Sequence, residues 1–128
     1  MLPGVRLSSA LCGLALLSSC GGGDESISCT AEARFGISIH VSDATTGNFI
    51  NCGSSATITT LGYSEVAHPF QGPGCRDQDG YGGAVERPGV YTVVVSKPGY
   101  QDFTANSVIV RPGECHVTTA VLDVRLSP

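Results

Sequence analysis

Gly89-Val90-Tyr91-Thr92-Val93-Val94-Val95-Ser96-Lys97-Pro98-Gly99-Tyr100 is the stretch on which the fold turns. From Val90 to Val95 it is apolar on both alternating faces, the pattern of a central strand covered on two sides. It stops at Lys97-Pro98-Gly99-Tyr100, where Pro then Gly at the middle positions specify a type II turn. A strand followed at once by a tight turn predicts a partner strand immediately downstream.

That partner is Phe103 to Val110, closed by Arg111-Pro112-Gly113, and a last strand is expected from Cys115 to Leu126 with Leu122, Val124 and Leu126 on one face. Upstream, Phe35, Ile37, Ile39 and Val41 alternate with polar or small residues, as in a half-buried strand. Asp43-Ala44-Thr45-Thr46-Gly47-Asn48 supplies turn chemistry, and Ala56 to Leu61 reads as a second strand. Between Glu65 and Gly83 stand Pro69, Pro73, Gly72, Gly74, Gly80, Gly82 and Gly83, which predict a long irregular loop. Helical periodicity is absent beyond the N-terminal segment. Short strands punctuated by Gly/Pro turns indicate one all-β sandwich.

The N-terminal segment has a different character. Arg6 precedes a mostly apolar run from Leu7 to Leu17, too short to cross a bilayer, which takes roughly 20 residues; a cleaved export signal is the expectation. Leu17-Ser18-Ser19-Cys20 resembles the lipobox of bacterial lipoproteins. The resemblance implies a signal peptide over residues 1–19, cleavage before Cys20 and acylation of its thiol, which thereby carries the membrane anchor. Buried acyl chains contribute about 0.8 kcal/mol per CH₂, and stable anchoring takes more than one chain. Residues 20–28, opening Cys20-Gly21-Gly22-Gly23-Asp24, read as a flexible tether, and residues 29–128 as the sandwich domain. The lack of Asp directly after Cys20 implies, by likeness to Gram-negative lipoproteins, a bacterial cell envelope location at the outer membrane.

Composition narrows the partners. Of 128 residues, seven are basic and eleven acidic, and removing Arg6 with the signal leaves six basic side chains. No basic cluster exists, so a nucleic-acid backbone would be repelled. Cys12 goes with the signal. Cys29, Cys52, Cys75 and Cys115 remain in an oxidising compartment, and an even number implies two disulfides. Four cysteines allow three connectivities. Zinc is the competing use, but no pair has the close spacing of a structural zinc site.

The strand and turn residues also resemble a known family. Gly36-Ile37-x-Ile39-x-Val41-x-Asp43-x-Thr45-x-Gly47, Asp79-Gly80-Tyr81 and Pro88-Gly89-x-Tyr91-x-Val93-x-Val95-x-x-Pro98-Gly99-Tyr100 look like carboxypeptidase regulatory-like domains. The resemblance covers Arg34 to Leu126 and implies a seven-stranded, transthyretin-like Greek-key sandwich. Two departures stand out: a longer loop before Asp79 with Cys52 and Cys75 near its ends, and Cys115-His116 opening the last strand. In that architecture the first and last strands lie parallel and adjacent, which implies a Cys29–Cys115 bridge and leaves Cys52 to Cys75. Tyr91 and Tyr100 are expected to pack their rings at the sandwich edge with wet hydroxyls. The likeness speaks for architecture and is nearly silent on function.

Signals for catalysis are sparse. His40, His68 and His116 have no partner at a recognisable ligand spacing, and there is no Gly-x-Ser-x-Gly elbow. Hydroxyisourate hydrolases, on a related sandwich, end in Tyr-Arg-Gly-Ser, whereas this chain ends Val124-Arg125-Leu126-Ser127-Pro128. The His-x-His pair of intradiol dioxygenases is also missing. Asp77-Gln78-Asp79-Gly80 looks like the first half of a calcium loop, making Asp77 and Asp79 the candidate metal ligands. The twelfth position is Pro88, where a bidentate Glu is needed, so the segment is read as a turn and no cofactor is assigned. The expectation is a non-enzymatic, lipid-anchored envelope protein serving as an interaction or accessory module. The alternative is a glycan or small-ligand binder using the Tyr63–Tyr81 loop, with Tyr63, Phe70 and Tyr81 presenting aromatic faces; a hydrolase or metal-dependent enzyme is a third. Expected partners are the membrane, through the anchor, and envelope proteins or glycans.

Overall fold

The computed structural model describes residues 27–70 and 74–128. The signal, Cys20 and most of the tether lie outside the described residues. Eight strands form two four-stranded sheets: β1 Ile37–Asp43, β2 Ser55–Thr60, β3 Tyr63–Val66, β4 His68–Pro69, β5 Tyr81–Gly83, β6 Gly89–Ser96, β7 Phe103–Val110 and β8 Ala120–Leu126. No helix long and apolar enough to cross a membrane occurs among the described residues.

The first sheet has the order β4-β5-β1-β8 and the second β3-β2-β6-β7. β1 and β8 run parallel, Ile37 opposite Ala120 through Asp43 opposite Leu126, and the other pairings are antiparallel. The alternation in β1 becomes burial: Ile37, Ile39 and Val41 face inward with Val124 and Leu126 of β8. From the second sheet Ala56, Ile58, Tyr91, Val93, Val95, Val108 and Val110 complete one apolar core. Burying a residue of this size contributes about 1.5–3 kcal/mol.

The turn at Lys97-Pro98-Gly99-Tyr100 closes with Tyr100 N–H donating to the Lys97 carbonyl at 3.0 Å. Gly99 takes φ +88° there, a region open to glycine without steric cost.

Several expectations need correction. The structure has eight strands where seven were expected. Leu61-Gly62, with φ +78° at Gly62, folds β3 back on β2, and the short β4 and β5 pair within the supposed loop. The last strand begins at Ala120 and not at Cys115, because the chain after Arg111 turns back and joins it to Thr118 by an isolated bridge. β6 is central in its sheet yet covered on one face only, since Val90 is exposed and Thr92 and Val94 are half-buried. Tyr91 is not wet: its ring is in the core and its hydroxyl donates to the Arg87 carbonyl at 2.8 Å. Tyr100 is half-buried and donates to Asp43 Oδ2 at 2.6 Å.

Two disulfides staple this frame, Cys29–Cys115 and Cys52–Cys75. The first joins the segments leading into β1 and β8, whose parallel pairing brings their starts together. The second ties the approach to β2 to the loop before β5.

Candidate functional site

Three residues were expected to share a recognition loop, and the fold separates them. Tyr81 is only 6% exposed. Its inward position on β5 buries the ring, and its hydroxyl is taken up by the Asn51 carbonyl, the Ser54 carbonyl and Ser54 Oγ. Phe70 lies on a different surface, its ring 5.1 Å from Phe35 and 5.9 Å from His40. There it caps the outer side of the first sheet, where Phe35 covers Gly82. Tyr63 belongs to the second sheet, with the Arg87 guanidinium 3.9 Å above its ring. Its hydroxyl donates to Glu65 Oε2, which pushes the phenol pKa upward. The three side chains therefore form no common aromatic face.

Asp77 braces the loop that it stands in. Asp77 Oδ1 accepts the Cys52 N–H at 3.0 Å, and the Asp77 carbonyl accepts from Asn51 Nδ2. Asp79 Oδ2 is buried without a hydrogen-bond partner among the described residues. No group of three or more His, Cys, Asp or Glu converges to hold a metal among those residues.

A polar relay beside the Cys29–Cys115 bridge escaped sequence reasoning. Glu86 Oε1 lies 2.6 Å from His116 Nδ1, and His116 Nε2 lies 2.9 Å from Thr30 Oγ1. An ionised carboxylate only accepts, so Nδ1 carries a proton toward Glu86; in the neutral form of the ring Nε2 is then free to accept from the Thr30 hydroxyl. Glu86 is further held by the Arg34 N–H at 2.8 Å and the Val117 N–H at 3.2 Å. The His116 hydrogen bond is the chief cause that draws the Glu86 carboxyl below the usual carboxylate range. Glu86 also sits at φ +48°, a backbone region costly for a side-chain-bearing residue. The order hydroxyl, imidazole, carboxylate is that of an activated nucleophile. It stands on open surface, Thr30 and Glu86 both being exposed, whereas acyl transfer also needs donors aimed at the developing oxyanion. Among the described residues His40 and His68 have no such partners: His40 makes a long 3.4 Å contact with Ser38 Oγ, and His68 is exposed on β4.

The second sheet carries an uncharged outer face. β2, β3, β6 and β7 comprise 6, 4, 8 and 8 residues, and Glu65 is the one charged side chain in them. Glu65 does not face solvent with the others. Its Oε1 reaches across to accept the Ala84 N–H at 2.6 Å, and it fills the space over Gly83, where a Cβ would collide with it. The outer face is consequently without charge. Register sets Val66, Thr57, Val94 and Thr104 in one row across the strands and Ser64, Thr59 and Thr92 in the next. Val90 lies opposite Ile109 at the far end, and Val66, Val90 and Ile109 are 56%, 54% and 46% exposed. The first sheet differs: His40, Asp123 and Arg125 stand on its outer side, the last two exposed.

Compared with known protein families and with curated proteins, the chain matches none.

Proposed function

We propose that this chain is a lipid-anchored protein of the bacterial cell envelope whose sandwich is a non-enzymatic interaction module. Residues 20–28 are the tether, with Cys20 at its head as the acylated anchor, and the second sheet supplies the contact face. The observation that carries the interaction role is that face: four strands wide, uncharged, and dominated by Thr, Ser and Val. Contact there desolvates no ion, so the penalty that burdens buried charges at interfaces does not arise. The parallel β1–β8 pair and the two strand orders support the finer reading of a transthyretin-like Greek-key sandwich related to carboxypeptidase regulatory-like domains. The lipobox resemblance and the Gly after Cys20 support the outer membrane as the site of anchoring.

Fractionation of native cells tests the anchor. The wild-type protein is expected in the outer-membrane fraction, and the Cys20→Ser variant in the soluble periplasmic fraction. Equal membrane retention of both would refute it.

A second reading rests on one observation, the Thr30–His116–Glu86 relay at 2.9 and 2.6 Å. In it Thr30 attacks an activated ester, His116 takes the hydroxyl proton and returns it to the departing alkoxide, and water then releases the acid. Hydrolysis of p-nitrophenyl acetate that disappears in both His116→Gln and Thr30→Val would establish this activity. Identical rates in wild type and variants would remove it.

A further inference from the structure

We infer that the uncharged outer face of the second sheet docks onto the same face of a second copy of this chain, forming a two-fold symmetric, face-to-face dimer. The inference rests on the interaction role proposed above and names the partner.

Charge selects the occupant. The chain carries a net −4, so two copies repel one another wherever their acidic surfaces meet. Glu65 is the one charged residue of the second sheet and is turned inward onto Ala84. The face therefore lets two like-charged molecules approach without opposing like charges, which otherwise cost several kcal/mol at an interface. A cationic or anionic partner finds no complement there. A glycan finds no aromatic platform, because the rings of Tyr63, Tyr91 and Phe103 lie on the inner side with Ile58 and Val93.

Shape agrees with charge. Rows of β-branched side chains such as Val66, Thr57 and Val94 resemble the inner surface of a sandwich, and two such surfaces stack roughly 10 Å apart with interdigitated side chains. An isologous contact also demands a self-complementary patch. A face mixing Thr hydroxyls, which donate and accept, with Val methyls meets that demand.

Size sets the strength. Four strands about 4.8 Å apart and roughly 20 Å long give about 400 Å² per copy, or about 800 Å² in the pair. That falls below the roughly 1,200 Å² of a typical stable complex. The dimer is therefore weak in solution, and is favoured where anchoring concentrates the copies on one membrane.

The test uses the full chain with Thr59, at the centre of the face, replaced in turn. Sedimentation equilibrium of the Cys20→Ser protein over about 5–500 µM is expected to show a monomer–dimer equilibrium. Thr59→Lys and Thr59→Glu are each expected to weaken it at least tenfold, and their mixture to restore a heterodimer, which misfolding does not produce. In cells, a photo-crosslinking residue at position 59 of the anchored protein is expected to give an adduct of twice the protomer mass. A wild-type protein that stays monomeric throughout, or a Thr59→Lys dimer of undiminished strength, would overturn the inference. An adduct only to a different protein overturns self-association and leaves the interaction role standing. The absence of any adduct overturns both.

Discussion

Asp43 shows how much one side chain can organise. At the end of β1 its Oδ1 accepts the N–H groups of Thr45 and Thr46 at 2.6 and 3.0 Å, and its Oδ2 accepts the Tyr100 hydroxyl at 2.6 Å. The Tyr100 bond is the largest cause lowering the Asp43 pKa, followed by the two backbone donors; the same contact raises the Tyr100 pKa. A folded pKa below the unfolded value means that protons bind the unfolded chain more tightly. The stabilisation is fully present above the unfolded value, about 3.9, and is lost as pH falls through the depressed folded value. Glu86 acts in the same direction. Asp43→Asn is therefore expected to unfold at lower urea than wild type at neutral pH, and to lose less stability than wild type below about pH 4.

Asn51 is fully buried between β1 and the loop to β5. Its Oδ1 accepts the Val41 N–H at 2.8 Å and its Nδ2 donates to the Asp77 carbonyl. Removing the amide strands both groups, and an unmet buried polar group costs about 1–3 kcal/mol. Urea titration of Asn51→Ala should show a loss of that size with an unchanged slope.

At the scale of elements, β7 is an edge strand, and edges invite pairing with other chains. A bulge between Tyr91 and Val93 sets Asn106 and Ser107 opposite Thr92, and Ser107 takes φ +58°. The irregular edge works against strand addition. Since L-residues bear a cost of about 1–2 kcal/mol in the left-handed region, Ser107→Gly is expected to raise stability by about 0.5 kcal/mol after glycine's added entropy. Ser107→Val should lower it. A chemical denaturation series of the three proteins checks both signs.

The elements also show what the chain made legible. β1 and β8 are readable because each keeps its period-two pattern for seven residues, and β6 and β7 because their apolar runs end at Pro-Gly turns. β3 is not, because its four residues hide an inward Glu65 and an outward Val66, the reverse of the usual assignment. β5 is Tyr81-Gly82-Gly83, whose glycines read as loop but leave room for Phe35 and Glu65 above them. Tyr63, Phe70 and Tyr81 are near in sequence, which suggests one aromatic face, but the sheets they join carry them apart. The uncharged face escaped notice because its rows exist only once β3, β2, β6 and β7 lie in register. The Thr30–His116 contact spans 86 residues, and no short motif encodes it.

For the whole molecule, the staples weigh heavily against a small core. Cys29–Cys115 closes a separation of 86 residues and Cys52–Cys75 one of 23. Loop entropy gives about 4–5 and about 3 kcal/mol as upper figures, against a total stability of about 5–15 kcal/mol for a domain. The double variant Cys29→Ser/Cys115→Ser should therefore melt below Cys52→Ser/Cys75→Ser, and calorimetry of the two decides the order. Under the function proposed above, export, oxidation and anchoring are one physical story at this scale: bridges of this kind form in an oxidising compartment, and a tether at a membrane surface makes weak contacts between copies effective.

Intact mass spectrometry of the protein extracted from native membranes without reductant tests that story most directly. The account predicts a chain beginning at Cys20, heavier by a diacylglyceryl and an acyl group and lighter by the four hydrogens of two disulfides. A mass matching the unprocessed, unacylated chain with all its thiols reduced would contradict it.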